Sequence, residues 1–309
     1  MHIHIIGAGV IGLTTAYYLC EKGHKVTIIE QESNVALGAS FANGGQLSYC
    51  FSDPLGKPGL LPKLPGIALN RDLAIRFNIP SSYESLRWLM RFAANCTEKN
   101  HGKNQLQLAK LSLSSMSLLA KMRDHLNLTF DHQKSSKLAL FEKKKDFINE
   151  MKSLSLKQSL GNDNKAISIQ EAESLEPAIS NLTKQYAGAI YSESDEVGDT
   201  LLFCKELKVW LIKNGTDFHF ETQVIELMKK NSKCYGINTN KGFFETENVI
   251  VCAGSLTEKI VQSPSPITSA RGYSLTLPKG SVDLDVSLTL SDQRVLFTKL
   301  GEKIRVTGF

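Results

Sequence analysis

Apolar positions along the chain change period several times, and each change predicts an element. His4, Ile5 and Ile6 form a short apolar run that stops at Gly7. Leu13, Ala16, Tyr17 and Leu19 then recur at helical spacing as far as Gly23. Residues 26–29 (VTII) are all β-branched and predict a second strand, closed by Glu30. A helix with Leu86, Leu89, Met90 and Ala93 on one face opens at a Ser81-x-x-Glu84 capping box. Residues 103–126 carry Leu106, Ala109, Leu113, Met116 and Ala120 at spacings of three and four, which predicts a longer amphipathic helix. Residues 137–142 alternate as a strand, and 143–160 read as a basic helix whose charges form a solvated face. Ser168 and Glu171 cap a short helix that stops before Pro177.

The second half reads the same way. A strand is expected at 186–191, a helix at 200–213, and strands at 218–220 and 223–228. Residues 234–246 form a hairpin around Asn240-Lys241-Gly242. The apolar run at 248–252 (NVIVC) suits a buried parallel strand, and Ala253-Gly254-Ser255 lead into another helix. Alternation then predicts strands at 273–277, 286–290, 295–299 and 304–307.

The first strand, helix and strand carry chemistry. Gly7, Gly9 and Gly12 make Gly-x-Gly-x-x-Gly between strand and helix. The first glycine permits the turn, the second admits a pyrophosphate, and the third lets helix and sheet pack closely. The helix N-terminus offers free N–H groups to phosphate. Glu30 at the end of the second strand can accept ribose hydroxyls and would repel a 2′-phosphate, so the pattern favours FAD or NAD over NADP. The next loop holds Gly38-Ala39-Ser40 and Asn43-Gly44-Gly45 on either side of Phe41. Its small residues let backbone approach a ligand; an ordinary polar turn is the other reading.

Composition narrows the class. The 309 residues are 42% hydrophobic and 22% charged, as in ordinary globular proteins. The net charge of +5 is spread out, without the clustered basic stripe of a nucleic-acid binder. The six cysteines form no Cys-x-x-Cys and no His cluster accompanies them, so neither a metal site nor a disulfide framework is expected. No apolar run reaches the ~18 residues that span a bilayer. A strand expected to begin by Ile3 leaves no room for a signal peptide, so a cytoplasmic protein is expected. Residues 52–80 hold five of the nine prolines, so they read as a connection or lid. Leu60, Leu61, Leu64, Ile67 and Leu69 stand there beside Lys57, Lys63, Arg71 and Arg76, a mixture suited to packing on the domain beneath or resting on a lipid surface.

Six stretches taken together carry a resemblance: IIGAGVIGLTTAYYL, SFANGGQLS, ESDEVGDTLLF, ETQVIEL, NVIVCAGS and ARGYSLTLP. In this order the chain resembles the D-amino-acid oxidase class of FAD-dependent flavoproteins, most of all its D-amino acid dehydrogenase small-subunit branch. The resemblance implies an α/β fold: a Rossmann-like FAD-binding domain with a discontinuous α+β substrate domain on a largely antiparallel sheet. The expected FAD-binding domain is 1–50 with 196–262, and the substrate or cap domain is 51–195 with 263–309. Implied cofactor contacts at the ADP end are Ile6, Gly7, Gly9, Val10, Ile11, Gly12, Glu30 and Gln31. Ser40, Asn43, Gly44, Gly45, Gln46 and Leu47 are implied along the pyrophosphate and isoalloxazine, Val224 at the adenine end, and Cys252, Ala253 and Gly254 beside the cofactor.

The reaction so implied is oxidation of a D-amino acid such as D-alanine. The Cα hydrogen passes as hydride to flavin N5, and the imino acid hydrolyses to a 2-oxo acid and ammonia. Electrons leave to a quinone-type acceptor, which suits a position on the cytoplasmic face of the inner membrane. A glycine- or sarcosine-type amine oxidase, or a non-catalytic remnant, is the alternative. The family pattern continues past Phe309 with a Gly-x-Arg-Pro segment whose arginine pairs with the substrate carboxylate, so the chain reads as C-terminally shortened, with a second chain as one way of completing it. Arg271 and Arg294 are local candidates for that charge or surface residues. Tyr273 is a candidate for the substrate cavity, with core packing as the other reading.

Overall fold

The computed structural model describes residues 1–63, 83–263, 267–281 and 283–308. Ser81 of the expected capping box lies outside these residues, as do Leu64, Ile67, Leu69, Arg71 and Arg76 of the proline-rich stretch. In chain order the described residues form β1 (His2–Ile6), α1 (Val10–Glu21), β2 (Lys25–Ile29), β3 (Gln46–Leu47), α2 (Tyr83–Asn95), α3 (Glu98–Leu126), β4 (Lys137–Phe141), α4 (Lys144–Ser159), β5 (Lys165–Ile167) and α5 (Ile169–Leu175). They continue with β6 (Gly188–Ser192), β7 (Glu196–Val197), α6 (Thr200–Lys213), β8 (Asp217–His219), β9 (Val224–Lys230), β10 (Lys233–Thr239), β11 (Gly242–Glu245), β12 (Val249–Val251), α7 (Thr257–Val261), β13 (Tyr273–Pro278), β14 (Ser287–Leu290), β15 (Val295–Leu300) and β16 (Lys303–Gly308).

The chain divides into two compact units. Unit 1 comprises Met1–Asn43, Leu126–Phe130 and Asp199–Ala270; unit 2 comprises Gly44–His125, Asp131–Gly198 and Arg271–Phe309. The seams fall at 43/44, 198/199 and 270/271, with 126–130 also in unit 1, whereas the sequence places them at 50/51, 195/196 and 262/263. Gln46-Leu47 pair antiparallel with Glu196-Val197, and both segments are tied to the rest of unit 2, through the Val197–Gln133 bridge and the Thr298 bond to Gly44.

Unit 1 is built on a parallel sheet of order β12-β1-β2-β8 among the described residues. Ile3, Ile5, Val26 and Ile28 are buried on it. α1 packs beside α6, with Leu13, Ala16 and Tyr17 buried on one and Phe203, Leu207 and Leu211 on the other. Tyr17 meets Trp210 at 5.0 Å between ring centres. The hairpin strands β9, β10 and β11 form a separate antiparallel sheet. Ile237 from it joins Ile6 and Ile29 in one apolar cluster. β12 is parallel to β1 as expected, yet only half buried. It is the edge strand, so one flank lacks the neighbour that an interior strand would have.

Unit 2 is built on a sheet of order β13-β16-β15-β14-β4-β6-β5 among the described residues, antiparallel except where β14 meets β4. Leu138, Leu140, Leu288 and Leu290 face α5 and Ile179. Ala139, Phe141 and Ile190 face the other way, against Leu154 and Phe147 of α4 and against Phe51. The Ser168–Glu171 capping box on α5 forms in both directions. The solvated-face reading of 143–160 needs one correction. Lys157 of α4 is 2% exposed, because Leu154 docks the helix on the sheet and turns this lysine inward. There Lys157 Nζ meets Asp53 at 3.0 Å and Glu150 at 2.8 Å.

Candidate functional site

In unit 1 the expected residues converge at the carboxyl ends of β1, β2 and β12. The early chain runs from β1 to β2 on one side, and β12 enters on the other, which makes the end of β1 a topological switch point. Gly7 N–H donates to the Ile29 carbonyl at 2.8 Å, and Cys252 N–H to the Ile6 carbonyl at 2.7 Å. Gly7 has φ +105°, and a Cβ there would stand 2.6 Å from the Cys252 carbonyl oxygen. A Cβ on Gly12 would stand 1.9 Å from the Gly7 carbonyl oxygen. Both positions therefore admit hydrogen only. Gly9 differs: its Cβ would meet only Ser40 Oγ, at 3.5 Å, so open space remains at this position. Gly9 is also the N-cap of α1 and has no side chain to cap it. The first-turn N–H groups of a helix lack intrahelical partners. Val10 N–H donates to Ser40 Oγ at 3.2 Å, which brings the small-residue loop to the helix start.

Glu30 sits half buried just past β2. Its carboxylate accepts the Ala8 N–H at 2.6 Å and the Glu32 N–H at 3.0 Å. Each oxygen keeps a further lone pair for a hydroxyl. Thr222 N–H donates to the Glu30 carbonyl at 2.8 Å, which draws the start of β9 and Val224 to the same end. Gln31 is exposed, Ile11 is 64% exposed, and the Ile6 side chain is buried, so Ile6 can offer only backbone. Asn43 accepts from Thr200 Oγ1 at 3.0 Å. Ala253 and Gly254 follow Cys252 into a short 3₁₀ turn. Burial pushes the Cys252 thiol up, so this residue packs beside Gly12 as a small apolar group. The bare glycine turn, the free helix end and the acid fit the pyrophosphate and ribose of a dinucleotide.

Unit 2 holds Gly44 to Leu47. Thr298 Oγ1 donates to the Gly44 carbonyl at 2.7 Å, and Gly198 N–H to the Gly45 carbonyl at 2.9 Å. Gly45 has φ +69°, and a Cβ there would press on both Leu300 methyl groups at 3.2 Å. Beyond them, the Gln46 carboxamide has its nitrogen and its oxygen buried with no partner among the described residues. Buried polar atoms are rarely left this way, so the amide fits a polar ligand edge.

The segment that follows is pinned by side chains. Lys137 Nζ donates to Ser48 Oγ at 2.8 Å and lies 4.6 Å from the Phe51 ring centre. Burial lowers its pKa to about 8. Tyr49 OH donates to Glu196, which also meets His132 at 2.9 Å and Arg123 at 3.6 Å. Burial opposes ionisation of Glu196, but the His132 bond and the Arg123 charge hold its carboxyl below the usual range.

Tyr273 is 73% exposed on edge strand β13, so the core-packing reading does not hold. It shares its face with Leu275, which stands opposite Val306 and, through it, Phe297 on the α5 side. Ser274 and Thr276 take the opposite face, where Thr298 reaches Gly44. Arg271 is exposed, and Arg294 is a half-buried turn residue with φ +55°. Thr298, Arg305 and Thr307, absent from the sequence-based set, line the face near Gly44. Alternation marks them as one side of two strands but does not say which side meets Gly44.

Over residues 2–308 the sequence matches the DAO family, described as FAD dependent oxidoreductase. The D-amino acid dehydrogenase of Vibrio atlanticus (strain LGP32) is 28% identical over 313 residues, covering 100% of this chain and 75% of that protein. The D-amino acid dehydrogenase of Neisseria meningitidis serogroup C is also 28% identical, with the same coverage. Glycine oxidase from Geobacillus kaustophilus shares the fold with a TM-score of 0.71 at 16% identity, covering 99% of this chain and 72% of that one. L-amino acid deaminase from Proteus myxofaciens gives a TM-score of 0.68 at 14% identity, with coverage of 99% and 57%. The nucleotide-binding geometry of unit 1, the fold and the match along nearly all residues lead to one conclusion: this chain belongs to the FAD-dependent oxidoreductases of the DAO family.

Proposed function

We propose that the protein is a D-amino acid dehydrogenase that converts D-alanine or a similar D-amino acid to its 2-oxo acid and ammonia. The observation that carries this reading is the similarity along the whole chain to enzymes named D-amino acid dehydrogenase. FAD, when bound, would supply the oxidant for removing the substrate's Cα hydrogen with its electron pair, and the imino acid so formed would be hydrolysed by water. This chain's residues do the holding. Gly7, Gly9, Gly12 and the start of α1 take the pyrophosphate, and Glu30 takes the ribose. The backbone at Gly44 and Gly45 and the Gln46 amide are the groups offered to the ring. A quinone-type acceptor at the cytoplasmic face of the inner membrane receives the electrons.

The test is spectroscopic. Purified protein given FAD should turn yellow and bleach anaerobically with D-alanine but not with L-alanine. Slow recovery of colour in air, and fast recovery with a soluble quinone, are expected. Rapid recovery in air would replace the dehydrogenase reading with the amine-oxidase one. Protein that takes up no FAD would sink both and leave a non-catalytic remnant.

A further inference from the structure

Thr307 lies on the face of the unit 2 sheet that meets Gly44. Successive residues of β16 point to opposite faces, so Arg305 and Thr307 share one side while Ile304 and Val306 take the other. Across the ladder Thr307 stands opposite Leu296 of β15 and Ser274 of β13, and Arg305 opposite Thr298 and Thr276. Two contacts identify the side. Thr298 Oγ1 bonds the Gly44 carbonyl, and a Cβ on Gly44 would lie 3.9 Å from Thr307 Oγ1.

The hydroxyls on this face are in different states. Thr298 is spent on Gly44, and Thr276 accepts from Arg305 Nε at 3.1 Å. Thr307 is 9% exposed, and its Oγ1 is buried without a partner among the described residues. The Gln46 carboxamide, next along the chain from Gly44-Gly45, is in the same state. A valine would fill the space of Thr307 without leaving a polar atom dry. A hydroxyl here gains its partner when a ligand arrives, and the Arg305 charge on the same face favours an electron-rich acceptor.

We propose that Thr307 is a ligand-binding residue. Its hydroxyl donates to an sp² oxygen of the molecule held against Gly44 and Gly45. That oxygen is a ring carbonyl of FAD or the carboxylate of the amino acid. The proposal rests on the FAD-dependent reading above and adds a residue that neither the motifs nor the resemblance pointed to.

Thr307→Val removes the hydroxyl and keeps the shape. Three readouts are needed: thermal stability without FAD, the FAD dissociation constant from flavin fluorescence, and the D-alanine concentration for half-maximal anaerobic bleaching. Without FAD the variant should match or exceed wild-type stability, since the lost hydroxyl had no internal partner. If the acceptor is the ring, the FAD dissociation constant rises about 5- to 20-fold, the loss of one hydrogen bond. If it is the carboxylate, FAD binding is unchanged and the D-alanine requirement rises by a similar factor. Thr307→Ser should track wild type in both.

Where valine is not accommodated, comparison of Thr307→Ala with Thr307→Ser isolates the hydroxyl, because both leave the methyl space empty. Variants with and without the hydroxyl that bind FAD and D-alanine equally overturn the proposal alone. So does a loss of stability without FAD when neither ligand is affected. Wild-type protein that binds no FAD overturns the functional reading and this proposal with it.

Discussion

Two buried ionisable residues set opposite pH dependences. Asp195 is 1% exposed, and burial raises its carboxyl to about 6 despite the Cys50 N–H bond and the Lys137 charge. Between about 4 and 6 the folded state binds this proton more tightly than the unfolded chain, so stability falls as pH rises through that window. His4 is 4% exposed; burial first, then His2, His219 and Lys25, lower its pKa to about 4. The unfolded chain binds that proton more tightly between about 4 and 6.5, so stability falls as pH drops through that range. The two slopes oppose, and substituting one residue exposes the other. Asp195→Asn keeps an acceptor for the Cys50 N–H and cannot ionise. It should gain on the order of 2–3 kcal/mol at pH 7 and nothing at pH 4, read from urea unfolding. Equal stabilities at pH 7 would show that Asp195 is not neutral-preferring. Which residue feels this burial is hidden in the sequence, because the groups around Asp195 come from distant segments, Cys50 among them.

At the scale of the element, α4 shows what periodicity can and cannot say. Its length was readable within a residue or two, since charge and apolar spacing repeat along consecutive turns. The fate of Lys157 was not, because its counter-charges come from Glu150 on the same helix and from Asp53, 104 residues away. Lys157→Met should cost about 3 kcal/mol in denaturant unfolding, through two carboxylates left with a buried charge. Lys57, at 3.7 Å from Asp53 and 3.9 Å from Glu150, keeps the loss at the lower end. Adding Asp53→Asn and Glu150→Gln should recover most of it. A single variant as stable as wild type would mean the pair is solvated. β12 teaches the same limit for strands: NVIVC predicted the strand and its direction, while its half-burial follows from a place at the sheet edge.

For the whole molecule, FAD is expected to act as a stabilising ligand. Its contacts exist only in the folded chain, so free FAD at a hundred times its dissociation constant should add about 2.7 kcal/mol. Thermal unfolding across an FAD series should show a midpoint rising with the logarithm of concentration, and a flat series would exclude binding to the folded form. The βαβ start, the glycine turn and Glu30 were legible in the sequence because their constraints act among residues 4–30. The positive φ of Gly7 and the press of Gly12 against the Gly7 carbonyl call for glycine wherever the rest of the chain goes. The alternation of residues 273–308 likewise showed strands, since side-chain direction has a period of two. Only the tertiary structure decided that Cys252 closes on Ile6 and Gly7, and that Thr298 and Thr307 rather than Tyr273 share a face with Gly44. Those outcomes depend on pairing between segments more than two hundred residues apart. Local sequence sets the two faces of each strand, but the partner packed on one of them decides which face becomes the site.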